Sequence, residues 1–220
     1  MNTNALDMTS KLLANENINI VNDNVMTASF NTETRTLTLP RWREMTPAID
    51  QLFRAHEIGH ALYTTEEFIP IITSHKIKQY LNILEDARIE RLVKQRYPGI
   101  RKTFYAGYQE LFDLDFFGVA QKDISTLHLM DRINLYFKIG YRLGVPFSDQ
   151  EKVFVKRAEE LETVQDVINL MYDLIKFCNE QEEKRKEEQA NQPQPTLPTE
   201  EDEEDEEDGD EDGDEDEDFD

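Results

Sequence analysis

"AIDQLFRAHEIGHALYTTEEF", residues 48–68, contains the motif HEIGH. His56 and His60 are four residues apart, so on a helix both imidazoles project from the same face and can bind one metal ion. Glu57 lies about 100° further round that helix, where its carboxylate can take a proton from a metal-bound water. The motif therefore predicts a zinc-dependent hydrolytic site with His56 and His60 as ligands and Glu57 as general base.

The sequence around the motif predicts the helix that this chemistry requires. Thr46 followed by Pro47 is a typical helix start, because the hydroxyl caps the first turn and proline fits its first position. We expect this helix to run to about Tyr63. The alternative interpretation of the motif is an ordinary helix that carries two partly buried, hydrogen-bonded histidines.

A catalytic zinc site takes three protein ligands and leaves one position to water. The next predicted helix, capped by Ser74, contains "NILEDARIE". Glu85 falls on a largely apolar face of this helix, and a carboxylate buried there needs a partner or a metal. Glu85 is therefore the first candidate for the third ligand, and the alternative is an ion pair with Arg88 three residues later.

Two other residues are candidates for the third ligand. Glu66 follows His60 by six residues, where one large group of zinc peptidases has its third histidine. That group needs glycine three residues after the second histidine, and Tyr63 stands there instead. His75 begins a predicted helix, a position where histidine is more often solvated. Both residues rank below Glu85.

Several further side chains are candidates for supporting roles. Asp86 and Glu90 can orient the histidines, since carboxylates commonly bind the second ring nitrogen of a metal-binding histidine. The alternative is that both are solvent-facing charges. The candidates for stabilising a developing oxyanion are Tyr105, Tyr108, Tyr141 and His128.

Residues 18–39 contain three short runs rich in β-branched residues, and this pattern predicts a three-stranded antiparallel meander. In the last run Thr36 and Thr38 face one way, and Leu37 and Leu39 face the other. An edge strand beside the metal could pair with an extended peptide substrate, which would place the two threonines near it. The alternative is an ordinary strand of the sheet.

The remaining sequence predicts a mainly α-helical α+β domain over residues 1–188, followed by a disordered linker or tail over residues 189–220. Residues 200–220 contain 18 acidic residues and no basic one, so they repel one another and have little to bury. Further helices are expected at 101–113, 125–143, 149–161 and 164–188.

Composition favours a protein that works in the cytoplasm. Cys178 is the only cysteine, so no intramolecular disulfide is possible. No secretory signal and no stretch long enough to span a membrane is found in the sequence. Direct nucleic-acid binding is not expected, because no basic patch with interleaved aromatic residues occurs. The predicted partners are a peptide or protein substrate and, through the acidic tail, a basic protein or an ATPase.

Two blocks, "HEIGHALYTT" and "LNILEDARIERLVKQRYPGIR", preceded by "TRTLTLP", resemble the peptidases of large tailed phages, which are related to CobT-type cobaltochelatase subunits. The resemblance covers about residues 25–112. It implies a zincin-like fold of the gluzincin kind, with His56, His60 and Glu85 as zinc ligands and Glu57 as general base. It also implies work in the host cytoplasm, and members often continue beyond the acidic run into a von Willebrand factor A domain.

The predicted function is therefore a zinc-dependent endopeptidase. The alternative function is a non-catalytic adaptor, in which the metal stabilises the fold and the acidic tail recruits the basic protein or ATPase.

Overall fold

The computed structural model of the chain describes residues 3–190, with side chains over residues 5–188. It is mainly helical with one small sheet, as the sequence predicts; the acidic run falls outside the described residues. One compact unit spans residues 1–182 and a second begins at residue 183. In chain order the elements are α1 (Thr3–Ala14), β1 (Asn19–Asp23), β2 (Ser29–Asn31), β3 (Thr36–Pro40), α2 (Pro47–Tyr63), α3 (His75–Arg96), α4 (Arg101–Asp113), α5 (Leu129–Leu143), α6 (Asp149–Glu159) and α7 (Val164–Ala190).

Capping residues begin the helices that hold the candidate site. The Thr46 hydroxyl accepts the backbone N–H of the third residue after it at 3.2 Å, and the Ser74 hydroxyl does the same at 3.3 Å. At α6, Ser148 and Glu151 form the complete capping box that the sequence predicts. These local signals fix where α2, α3 and α6 begin.

Helix α5 begins at Leu129, four residues later than the predicted start at 125. The intervening Ile124–Thr126 segment is a short 3-10 helix, in which the Ser125 backbone N–H donates to the Asp123 carboxylate. Two further 3-10 helices lie at Glu66–Ile71 and Pro98–Ile100. The sequence pattern gave no expectation for α1.

The sheet is mixed, so the predicted antiparallel meander is wrong. Its strand order is β1-β3-β2, in which β2 runs antiparallel to β3 and β1 runs parallel to it. The parallel register pairs Asn19 with Thr36 and Asp23 with Pro40. Parallel neighbours need a long connection, and residues 24–35, which include β2, supply it. The last strand in the chain, β3, therefore lies at the centre of the sheet, between β1 and β2.

Strand β3 lies between two partners, so of the two alternatives the ordinary strand of the sheet is found and the edge strand is not. Leu37 and Leu39 are 0% and 1% exposed and Thr36 and Thr38 are only partly buried, so the predicted alternation of faces is confirmed. Over Thr36–Thr38 both edges of β3 are hydrogen-bonded to neighbouring strands. A substrate peptide therefore has no free edge to pair with at the two threonines.

Helix α2 packs closely against α3 and α4 because glycines stand at both contacts. A Cβ at Gly59 would lie 2.7 Å from the Ile89 Cδ1 atom of α3, and a Cβ at Gly107 of α4 would lie 2.4 Å from the Leu52 Cβ atom. Apolar side chains of the sheet, α2 and α4 form most of one buried cluster, and those of α3, α5, α6 and α7 form most of a second. These contacts place α2 beside α3 at the level of HEIGH.

None of the helices in the described part of the chain combines the length and the apolar composition that a bilayer span requires.

Candidate metal centre

Three side chains from α2 and α3 bring their ligand atoms together. The Nε2 atoms of His56 and His60 are 3.3 Å apart. The Asp86 Oδ1 atom is 3.4 Å from His56 Nε2 and 3.3 Å from His60 Nε2. The three side chains are 14%, 20% and 21% exposed respectively, so the triangle is only partly open. Within residues 5–188 this is the only set of three or more His, Cys, Asp or Glu ligands that converges in this way.

The triangle has the dimensions of one face of a zinc tetrahedron. Zinc bonds of about 2.0–2.1 Å to nitrogen and oxygen give ligand-to-ligand distances of about 3.3–3.4 Å in a regular tetrahedron. The three observed distances are 3.3, 3.3 and 3.4 Å. His56, His60 and Asp86 can therefore hold a metal ion of zinc's size with little rearrangement and leave a fourth position open.

Glu85 lies outside the triangle, which corrects the predicted ligand set. It is 3% exposed, and Arg88 donates from Nε to Oε2 at 2.8 Å and from Nη2 to Oε1 at 2.7 Å. The Thr64 hydroxyl donates to Oε1 at 2.6 Å. Neighbouring residues on a helix point about 100° apart, so only one of Glu85 and Asp86 can face the histidines. The structure instead contains the Glu85–Arg88 ion pair, which was the alternative interpretation of the sequence.

His60 is held by a hydroxyl group that leads to this ion pair. Its Nδ1 atom lies 2.9 Å from the Thr64 Oγ1 atom. Because the one hydroxyl proton of Thr64 goes to Glu85, Nδ1 of His60 must donate to Thr64, which leaves the Nε2 lone pair for a metal. Arg88 also donates to the carbonyls of Tyr63 at 2.8 Å and Glu162 at 3.1 Å. The pair thus ties the end of α2 to the segment before α7.

His56 is held directly by a buried carboxylate, as the sequence predicts for Glu90. Nδ1 of His56 lies 3.0 Å from Glu90 Oε1, so this nitrogen donates and Nε2 faces the metal position. Glu90 is 3% exposed and accepts a hydrogen bond from the Tyr108 hydroxyl. Lys94 donates to its other oxygen at 2.8 Å. Two donors, Tyr108 and Lys94, therefore fix the carboxylate that fixes His56.

The second oxygen of Asp86 is engaged by a lysine from α5. Lys138 Nζ lies 3.0 Å from Asp86 Oδ2, 3.4 Å from the Tyr108 hydroxyl and 3.9 Å from Glu90 Oε1. Only Oδ1 of Asp86 therefore faces the metal position. Neither Lys138 nor Lys94 was a candidate from the sequence. Lys138 is too distant along the chain to give a signal of contact, whereas Lys94 follows Glu90 by four residues, a spacing that could have indicated their ion pair.

The charged groups strongly shift one another's protonation. Burial lowers the pKa of His56, but the Asp86 and Glu90 carboxylates outweigh it and raise this pKa to about 10. Burial raises the pKa of Asp86, yet Lys138 and His56 hold it well below its usual range. Burial also raises the pKa of Glu90, but the nearby positive charge of Lys94 outweighs it and lowers this pKa below its usual range. Without metal, the site at neutral pH is a network of ion pairs.

Glu57 is the acidic residue beside the triangle that remains uncommitted. It is 5% exposed, and its carboxylate makes no hydrogen bond or ion pair with another described residue. Burial raises the pKa of Glu57, against the opposing charges of His56 and His60. Together with His56 and Asp86 it lines a cavity of about 620 Å³. Its carboxylate is therefore placed to exchange a proton inside this cavity.

Most of the other candidates lie away from the cavity. Glu66 and His75 are exposed and outside the ligand triangle. Tyr105 and Tyr141 pack on each other with ring centroids 4.9 Å apart and are 58% and 52% exposed. His128 accepts the backbone N–H two residues on at 3.3 Å. None of these five residues lines the cavity, and neither do Thr36 and Thr38.

Tyr108 does line the cavity, but its hydroxyl is engaged. It donates to Glu90, and burial together with the Glu90 charge raises the pKa of Tyr108 well above its usual range. A hydroxyl that already donates its proton cannot stabilise an oxyanion without breaking that bond. Tyr108 is better described as part of the support of His56.

No family model, no curated protein and no solved structure matches this chain. The geometry of the site is therefore the ground for a functional proposal.

Proposed function

We propose that the chain is a zinc-dependent peptidase. The observation that carries the proposal is the triangle of ligand atoms 3.3–3.4 Å apart, with the uncommitted Glu57 carboxylate beside it in one cavity. His56, His60 and Asp86 would hold the ion. When bound, zinc lowers the pKa of a coordinated water towards about 7 and polarises a carbonyl group.

Glu57 would move the proton. As a carboxylate it accepts the proton of the attacking water, and its burial makes it a stronger base than an exposed glutamate. The same oxygen can then pass that proton to the departing amide nitrogen of the peptide. His56 and His60 keep their Nε2 lone pairs directed at the ion because Glu90 and Thr64 hold the opposite ring nitrogens.

The open fourth position favours catalysis over a purely structural metal site. Structural zinc sites usually close the tetrahedron with a fourth protein ligand, often cysteine. No fourth ligand joins the group within residues 5–188, and the only cysteine, Cys178, lies outside it. The adjoining cavity gives a substrate access to the same point.

The zincin-like fold, the likeness to phage peptidases and the cytoplasmic site of action stay proposals. They are supported by the HEIGH and LEDARIE blocks of the sequence. The ligand set proposed here differs from the one that the resemblance implies, since Asp86 replaces Glu85. The substrate would be a peptide or protein.

The test combines metal content with peptide cleavage. Elemental mass spectrometry should find about one zinc per wild-type chain and none in His60→Ala or Asp86→Ala. Glu57→Gln should keep zinc and lose cleavage of a peptide mixture by a factor of about 10²–10⁴, while Glu160→Gln, an exposed residue outside the cavity, should match wild type.

Two outcomes would contradict the proposal. If the folded wild-type protein contains no zinc, HEIGH is part of an ordinary helix that carries two hydrogen-bonded histidines. Zinc with no effect of Glu57→Gln on cleavage would favour the non-catalytic adaptor, whose acidic tail would then be tested for capture of a basic protein or an ATPase.

A further inference from the structure

The cavity beside Glu57 has two unlike walls. One wall is apolar and comes from α2, α4 and the segment after α4; it is formed by Leu52, Phe53, Leu111, Phe116, Phe117 and Val119. Trp42 packs behind it, with ring centroids 5.2 Å from Phe53 and 5.6 Å from Phe116. The other wall is polar and comes from α3 and α5. Such a cavity suits a chain with apolar side chains on one side and hydrogen-bonding groups on the other.

The polar wall follows one face of each helix away from the metal position. On α5, Asp131, Asn134 and Lys138 recur at helical spacing and all line the cavity. On α3, Asn82 lines it one turn before Asp86. The wall therefore continues from the ligand triangle and its lysine along α5 for about two helical turns.

Three polar side chains of this wall are uncommitted. Asn82, Asp131 and Asn134 make no side-chain hydrogen bond or ion pair with another described residue. This contrasts with Glu85 and Glu90, whose oxygens are engaged by two and three partners respectively. An asparagine amide can donate and accept at once, which matches the N–H and C=O groups of a peptide backbone. A partly buried aspartate matches a cation.

Helix geometry gives the axial spacing between Asp131 and the residue of α5 that reaches the ligand triangle. Lys138 contacts Asp86 at 3.0 Å and so marks the metal end of α5. Asp131 is seven residues earlier, about 10 Å along the helix axis. The helix is regular over this span, since its single non-helical residue is Ile139. An extended peptide covers about 3.3–3.6 Å per residue, so 10 Å corresponds to about three residues.

We propose that Asp131 selects substrates with lysine or arginine about three residues from the scissile bond. Asn82 and Asn134 bind the intervening backbone, and the aromatic wall receives an apolar side chain between the cation and the bond. This inference rests on the proposed peptidase function. Lys122 also lines the cavity and could attract an acidic side chain, but it lies on an exposed segment. A hydrated ammonium on a flexible stem discriminates less between substrates there than a partly buried carboxylate does.

The test uses peptide libraries that place lysine, alanine or glutamate at each of the four positions on either side of the scissile bond. Wild type should cleave peptides with lysine near the third position about fivefold faster, in kcat/KM, than those with alanine. Asp131→Asn should remove the preference, and Asp131→Lys should transfer it to glutamate. Glu160→Gln, the matched loss of an exposed charge, should keep the wild-type preference.

The outcomes separate this inference from the proposed function. Cleavage without a charge preference, or a preference that Asp131→Asn leaves unchanged, overturns the role of Asp131 and keeps the peptidase. Absence of cleavage by zinc-loaded wild type overturns the peptidase. Fluorescence anisotropy then measures binding of the same peptides to zinc-loaded Glu57→Gln, and equal affinities for the lysine and alanine peptides overturn recognition by Asp131 without any turnover.

Discussion

The two histidines of the candidate metal centre are held by different chemistry. His56 contacts the Glu90 carboxylate directly, and Lys94 and Tyr108 fix that carboxylate from other sides. His60 contacts a neutral hydroxyl, and the negative charge of its support lies one group further away in a carboxylate paired with arginine. The group in contact with the His56 ring is therefore charged. The group in contact with the His60 ring is neutral, and the nearest charge of its support lies one group further away.

This difference assigns different tasks to the two supports. A carboxylate at the ring makes an imidazole more basic, so we infer that Glu90 contributes mainly to metal affinity. Arg88 binds the carbonyls of Tyr63 and Glu162 as well as Glu85, so we infer that this pair contributes mainly to fold stability. Variants of the two supports should therefore lose different properties.

The largest expected effect separates two adjacent carboxylates of α3. Asp86→Ala should abolish stoichiometric zinc binding, because it removes one of three ligands. Glu85→Gln should retain zinc, because its amide can still accept from Thr64. Zinc per chain, measured after exhaustive dialysis, checks both variants. Loss of zinc in Glu85→Gln with retention in Asp86→Ala would restore the ligand set that the sequence predicted.

The next effect concerns stability on the His60 side. Glu85→Ala leaves the Arg88 guanidinium, which is 4% exposed, with two backbone carbonyls but no opposite charge, and should cost about 3–5 kcal/mol of unfolding free energy. Asp173→Ala removes a pair with Arg157 whose side chains are 42% and 53% exposed, and should cost no more than about 1 kcal/mol. Urea unfolding in the presence of a chelator, which removes the contribution of bound metal, compares the two. Equal losses of unfolding free energy in the two variants would show that the Glu85–Arg88 pair stabilises the fold no more than an exposed pair does.

A smaller effect compares the two supports of the histidines. Glu90→Gln should weaken zinc binding by about 10–100-fold, the usual consequence of losing a carboxylate behind a metal-binding histidine. Thr64→Val should weaken it by less than about tenfold, since a neutral partner is lost. Competition with a chromophoric zinc chelator measures both constants. A larger loss for Thr64→Val would reverse the assignment of tasks.

The last effect is a change of zinc affinity with pH, which requires no substitution. A pKa of about 10 means that His56 is protonated in the metal-free protein at neutral pH. Zinc must displace that proton, so its apparent affinity should rise about tenfold per pH unit between pH 7 and 9. An ordinary histidine, with a pKa near 6.5, would give no such rise in this range. Calorimetry in buffers of different ionisation enthalpy counts the proton released.

The sequence predicted the parts of the molecule that depend on local signals. Capping residues located α2, α3 and α6, and the HEIGH spacing identified two candidate ligands whose ring nitrogens the structure brings together. Strand order was beyond it, because the pairing of β1 with β3 depends on residues that are distant along the chain. The three sequence runs taken alone are equally consistent with an antiparallel meander and with the mixed sheet.

The identity of the third ligand depended on the rotation of α3, which its sequence does not indicate. Buried apolar residues occur on most sides of this helix, including Tyr80, Leu81, Ile83, Leu84, Ala87, Ile89 and Val93. No single apolar stripe therefore marks the face that meets α2. One signal was present: Glu90 follows Asp86 by four residues, so a ligand and a histidine support share one face.

The glycine inside HEIGH helps to position the ligand triangle although it contributes no atom to it. The absence of a side chain at Gly59 lets α3 approach until Ile89 occupies the space of a Cβ. At that separation the short side chain of Asp86 reaches both histidines, and a glutamate, longer by one methylene group, would overshoot. The spacing of two helices and the length of a carboxylate are thus a single coupled trait. Changing either one alone would leave the site mismatched by roughly one carbon–carbon bond.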